Sequence, residues 1–189
     1  MNFGLVVEGP TDQAAYPELI RNIRQDTGIV QVRPCGNKSK LRGIFTSYLA
    51  EFHRNSAWQI RTVFVIQDSD CQPSEQIEDR LNRNFDASKF PNFRVEFFAT
   101  KCDLETWLVA DENAINHVSQ QRGANKVVDA VGIQLEHTKA KNYFYDRLER
   151  AGLDPVLAIY AEVAKSLDIP KVAGLCPSFR RFVEAVRAC

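Results

Sequence analysis

Four short apolar runs, each followed by a stretch with helical spacing, leave this chain few folds to choose from. The clearest is TVFVIQD (62–68), rich in β-branched residues and ending on an acid. A run without polar alternation predicts a strand buried on both faces. FGLVV (3–7) reads the same way and ends in EGPTD, a turn with Gly and Pro. IVQVR (29–33) and FRVEFFA (93–99) are the other two expected strands. Apolar spacing predicts helices over about 13–25, 39–53 and 74–84, and a further helix from about 103. Thr11 or Asp12 is placed to cap the first, and Tyr16, Leu19, Ile20 and Ile23 share one of its faces. Strands alternating with helices in this way predict a parallel sheet covered on both sides. The expected fold class is therefore α/β, a Rossmann-like parallel four-stranded sheet flanked by helices.

After residue 112 the strand signals stop. Residues 124–132, 139–151, 154–166 and 177–188 have helical spacing, broken by Gly152, Pro155, Pro170 and Pro177. The expected organisation is an α/β core over 1–112 and a C-terminal helical extension over 113–189 packed on it.

Composition narrows the function classes. With 44% hydrophobic and 25% charged residues, the chain can bury a full core without staples. Acidic and basic residues number 24 each, so net charge neither points to a nucleic-acid binder nor argues against an acidic pocket in basic surroundings. The five cysteines (Cys35, Cys71, Cys102, Cys176 and Cys189) are odd in number and form no CxxC pair. A disulfide framework or zinc site is not expected, and a reducing, cytoplasmic setting is. The segment MNFGLVVEGPTD lacks a basic leader and reaches a carboxylate at residue 8, unlike a signal peptide. No apolar stretch approaches the ~20 residues that span a bilayer.

In an open parallel sheet, ligands bind beyond the carboxyl ends of the strands. The first strand ends at Glu8, and the third ends at Asp68 with Asp70 two residues on. Glu105 lies just after the fourth strand, beside Asp103, which has a second available role as a helix cap. Four acids gathered at one edge would repel one another, and a hard cation such as Mg²⁺ or Mn²⁺ resolves that repulsion. Acids after strands also serve as caps and turn formers. Glu8, a long acid ending an apolar strand before Gly-Pro, is harder to explain that way.

VVEGPTD (6–12) with VFVIQDSD (63–70) resembles the toprim domain of topoisomerases, primases and nucleases of the overcoming-lysogenization-defect (OLD) type. That family carries a strand-terminal Glu in one motif and a D-x-D in another. The resemblance assigns Glu8 to the first and Asp68 and Asp70 to the second, over roughly the first 110 residues. A second resemblance, to small stand-alone toprim-like proteins, spans nearly the whole chain. It rests on LETWLVAD (104–111) and CPSFRRFVEAV (176–186), and it assigns Glu105 to the metal site. The resemblance implies a Mg²⁺- or Mn²⁺-dependent phosphoryl-transfer enzyme, a nuclease or nickase on nucleic acid, with a place in anti-phage defence. It also implies an alternative, a toprim-fold subunit that works only with an ATPase of the ABC or SMC type supplied in trans. DNA is not separated from RNA, and oligomeric state stays open.

Basic residues supply candidate contacts to phosphate. Lys38, with Lys40, lies in the loop GNKSK after the second strand, where Asn37 or Ser39 is placed to cap the next helix. Lys139, Lys141 and Arg147 share one helical stretch, and Arg180 and Arg181 follow Pro-Ser-Phe. Charged helix faces are commonly just solvated. Among these residues Lys38, Lys141 and Arg180 are singled out. Trp107 is expected as core packing, Ser178 as a helix cap and Phe179 as an anchor. His53, His117 and His137 show no ligand spacing. EGPTD lacks the spacing of a phosphate-binding Walker loop.

Overall fold

A computed structural model describes residues 1–83 and 85–189. Four strands, β1 (Phe3–Val7), β2 (Val30–Pro34), β3 (Thr62–Asp68) and β4 (Arg94–Thr100), form one all-parallel sheet in the order β2-β1-β3-β4. The chain winds outward from β1 to β2, then crosses to β3 and continues to β4. The reversal falls between β1 and β3, whose carboxyl ends therefore flank a crevice.

Helices α1 (Pro10–Ile23), α2 (Lys38–Arg54) and α3 (Ser74–Asn82) link the strands. The two-residue period of the strands divides their side chains between two cores. Phe3, Leu5, Val7, Phe64, Ile66 and Phe98 pack on one side with Tyr16, Leu19 and Ile20 of α1. Val6, Val63, Val65 and Ala99 pack on the other with Leu41, Phe45 and Leu49 of α2 and Ile77 and Leu81 of α3. This is the α/β class expected, with helices on both faces.

Beyond the sheet lie α4 (Glu105–Val109), α5 (Glu112–Gln121), α6 (Lys141–Arg150), α7 (Leu157–Ser166), α8 (Ile169–Leu175) and α9 (Pro177–Arg187). Their apolar faces join the first core, not a core of their own. Phe182 of α9 packs against Tyr16, Phe64, Phe98 and Trp107 at centroid distances of 5.2–5.8 Å. Trp107 is fully buried, as expected, and its Nε1 donates to Ser178 Oγ at 2.9 Å. Phe179 is the expected anchor, edge-on to Trp107 at 5.0 Å. The Ser178 hydroxyl thus serves the tryptophan, not its own helix. The Ser178 amide instead donates to buried Glu136, Oε1 at 2.7 Å.

Several expected elements differ. Residues 124–132 form no helix. Gly123 and Asn125 take left-handed φ values of 76° and 52°, which end α5. Asn116 then pins the segment by exchanging two hydrogen bonds with the Val128 backbone, at 3.0 and 2.8 Å. The helix expected from 103 is split in two by Asp111. Its buried carboxylate accepts from the Asn113 and Asp168 amides and from Lys171 Nζ. Helix α8 lies where Pro170 suggested only a break, because proline is tolerated in a first turn. The first helix begins at Pro10, earlier than expected, with Gly9 as its cap residue. The end expected for the third helix, residue 84, lies outside the described residues. Among the described residues, no helix is long and apolar enough to cross a membrane.

Candidate active site

The crevice at the carboxyl edge has a volume of about 480 Å³. Glu8 enters it directly after β1, and Asp68 is the last residue of β3. They are joined across the reversal point, where the Asp68 amide donates to Glu8 Oε1 at 2.7 Å. Asp12 reaches the same space from the first turn of α1, its Oδ2 accepting the Gly9 amide at 2.9 Å. The loop after β3 contributes Asp70, and the segment after β4 contributes Asp103 and Glu105. Asp103 also acts as a cap, accepting from the Thr106 amide and hydroxyl at 3.1 and 2.8 Å and from the Ala140 amide at 3.0 Å.

Three lysines face these six acids: Lys38 from the first turn of α2, Lys139 from the segment just before α6, and Lys141 from the start of α6. Lys38 pairs with Asp70 Oδ2, and Lys139 Nζ lies 2.9 Å from Asp70 Oδ1. Lys141 Nζ sits 5.7 Å over the ring of Tyr145. Tyr160 of α7, fully buried, donates its hydroxyl to Glu105 Oε1 at 2.8 Å. The helical extension therefore furnishes both the basic wall of the crevice and a hydrogen-bond donor to one of its acids.

The electrostatics follow from burial and charge imbalance. Burial pushes Glu8 up from its ordinary 4.5 to about 7, although Lys38 and the Asp68 amide pull the other way. Asp12 rises to about 6, first from burial and then from the charge of Glu105, against the pull of the Gly9 amide. Asp68 is held well above the usual carboxylate range by burial and by Asp12, Glu8, Glu105 and Asp103. Glu105 is raised by burial despite its bond from Tyr160. Asp70 alone moves down. Its partial burial would raise it, but Lys38 and Lys139 outweigh that.

The donor set is all oxygen, crowded and short of positive charge, which suits a hard divalent cation. Glu8, Asp12, Asp68 and Glu105 are the residues placed to hold one, with Asp70 available on release from its lysines. Among the described residues, no three acidic, histidine or cysteine side chains are already drawn together at ligand spacing. The acids converge from four separate segments, and Asp70 is occupied by its two ion pairs.

Glu8, Asp68, Asp70, Glu105, Lys38 and Lys141, all singled out from sequence, line this one crevice. Arg180 does not; it is exposed on α9 away from it. Its neighbour Arg181 turns to Glu78 on α3 and lies 4.7 Å over Phe98. Arg147 points to Ala130 O at 3.4 Å, also away from the acids. Asp12, read only as a cap, and Tyr160 were missed as site residues. Asp12 carried a usable signal, four residues after Glu8 and within the first turn of α1. Tyr160 carried none. A larger hollow of about 670 Å³ between α5 and α7 is crossed by the Arg122–Glu162 pair. No group of acids converges there, unlike at the carboxyl-edge crevice.

Cysteine chemistry also departs from expectation. Cys71 and Cys102 are joined in a disulfide, and Cys35, Cys176 and Cys189 are free. The pair was not visible from spacing because its members are 31 positions apart, with α3 and β4 between them.

No curated protein and no solved structure matches the chain. Residues 7–187 match the family described as Domain of unknown function (DUF4276), and the chain belongs to that family.

Proposed function

We propose that this chain is a toprim-like, Mg²⁺- or Mn²⁺-dependent phosphodiesterase acting on nucleic acid, a nuclease or nickase of the cytoplasm with a role in anti-phage defence. The observation that carries the reading is six acids against three lysines in one crevice at the topological reversal point. A divalent cation, when bound, offsets that charge and polarises the phosphodiester. Glu8 is suited to proton transfer, since a carboxyl near pH 7 both holds and releases a proton readily. Lys139 and Lys141 supply positive charge for phosphate oxygens from the opposite wall, and Lys38 does so from the sheet side. Tyr160 fixes the rotamer of Glu105.

The test uses the purified chain with Mn²⁺ on supercoiled plasmid, single-stranded DNA and RNA. Cleavage of at least one is expected, and it should vanish in Glu8→Gln and Asp68→Asn. Absence of cutting on all three, or variants that cut like the parent, would end the proposal.

One observation favours a second reading, a subunit governed by an ABC- or SMC-type ATPase partner. Asp70 is held by two of the chain's own lysines, so the free protein keeps one acid out of service. A partner that draws Lys139 away would release it. Full turnover by the lone chain counts against this version.

A further inference from the structure

The Cys71–Cys102 bond lies directly beside residues that line the crevice. Cys71 directly follows Asp70 in the loop leaving β3. Cys102 directly precedes Asp103 and lies three residues before Glu105. The bond therefore ties together the two loops that carry half of the crevice's acids. Two hydrogen bonds run beside it, from the Asp70 amide to Cys102 O at 2.9 Å and from the Cys102 amide to Ser69 Oγ at 3.0 Å. Other forces oppose this closeness. Asp70, Cys71 and Cys102 all adopt left-handed φ values (52°, 65° and 63°), which non-glycine residues disfavour. Asp68, at the root of the first loop, and Asp103 and Glu105 on the second also carry like charge that pushes them apart across the crevice.

We propose that Cys71 and Cys102 form a reversible thiol–disulfide couple that sets the spacing of the two acid-bearing loops, drawn together when oxidised and loosened when reduced. Cys71 is half-buried and Cys102 fully buried, so exchange begins at Cys71. The thiolate of a low-molecular-weight thiol attacks Cys71 Sγ. The S–S bond breaks, and its electron pair leaves on Cys102 Sγ, which takes up a proton. A second small thiolate then attacks the mixed disulfide, freeing Cys71 as a thiol and releasing a low-molecular-weight disulfide. Two small thiols have supplied two electrons, and the reverse sequence uses that small disulfide as oxidant. Lys101 Nζ, donating to Cys71 O at 3.1 Å and Gln72 O at 3.0 Å, places positive charge where the thiolate approaches. Cys35 and Cys176 are buried elsewhere and do not compete.

The consequence for metal rests on the cation reading of the crevice. Loops already held together bind a cation without first being ordered, so the oxidised form is expected to bind Mn²⁺ about tenfold more tightly.

The test uses the full chain equilibrated in glutathione buffers of graded ratio, followed by alkylation and peptide mass spectrometry. A Cys71–Cys102 peptide pair should form and disappear reversibly. Amide hydrogen exchange at 69–72 and 100–103 should quicken on reduction, and a Cys71→Ser/Cys102→Ser double variant should exchange like the reduced protein in every buffer. Failure of the pair to form in the most oxidising buffer, or exchange unchanged by its formation, overturns the proposal. Free Mn²⁺, followed by its electron paramagnetic resonance signal, then separates the two readings. Redox-dependent exchange with no Mn²⁺ bound in either state sinks the cation reading and leaves the couple standing. Mn²⁺ bound equally in both states, with unchanged exchange, does the reverse.

Discussion

Glu8 should make the metal-free protein less stable as pH rises towards neutrality. Its folded-state proton affinity corresponds to about 7 against an ordinary 4.5, with burial as the main cause. A raised value means that folding favours the protonated acid. The contribution is fully present below pH 4.5, is lost as pH rises to about 7, and is level above that. At about 1.4 kcal/mol per tenfold change in proton affinity the full difference is about 3 kcal/mol, and partial access of water reduces it to about 2 kcal/mol. For a chain of this size that is about 4–8 °C in Tm. Circular dichroism melts in chelator at constant ionic strength, from pH 5 to 7.5, read the slope. Glu8→Gln keeps an oxygen for the Asp68 amide but cannot ionise, so its slope should be shallower by that amount. Mn²⁺ should stabilise the parent more at pH 7.5 than at pH 5, because it binds the ionised acids. A parent whose stability rises with pH across this window, or a Glu8→Gln variant with the parental slope, refutes the electrostatic account of the crevice.

Phe182→Ala removes the ring shared by Tyr16, Phe64, Phe98 and Trp107, and should cost about 3–5 kcal/mol in urea unfolding. Tyr160→Phe takes away the donor to Glu105; Mn²⁺ affinity measured by calorimetry should fall about tenfold, as for other hydrogen-bond partners of ligand residues. Lys139→Ala removes a side chain that is 62% exposed, so its melting temperature should barely move. If Lys139 meets phosphate, affinity for a single-stranded oligonucleotide drops and the slope of log K against log salt shrinks by about 0.7.

The strands were legible because a sheet covered on both faces needs uninterrupted apolar runs, as in FGLVV and TVFVIQD. Glu8 and Asp68 were legible for a related reason, since an acid cannot continue such a run and so marks its end. What local spacing could not show is what distant segments do to one another. Residues 124–132 have helical spacing, yet Asn116 on α5 takes the Val128 backbone out of helical pairing. Asp111 looked like part of a helix until Asp168 and Lys171, more than 50 residues on, claimed its carboxylate. Tyr160 sits on an apolar stretch with nothing to mark its hydroxyl, and it is the packing of α7 against α1, α5 and α4 that carries it to Glu105. Arg180 was singled out over its neighbour Arg181, yet the turn of α9 sent Arg180 to solvent and Arg181 to Glu78.

The core shared by the sheet and α9 also bears on how the protein is made. When the first 112 residues have left the ribosome, Phe64 and Phe98 on one side of the sheet still lack Phe179 and Phe182, which lie near the far end of the chain. At about 5–20 residues per second, synthesis of residues 113–187 takes about 4–15 s. Throughout that interval an aromatic surface waits uncovered on a nascent chain, and a chaperone that binds such surfaces has its natural client window there.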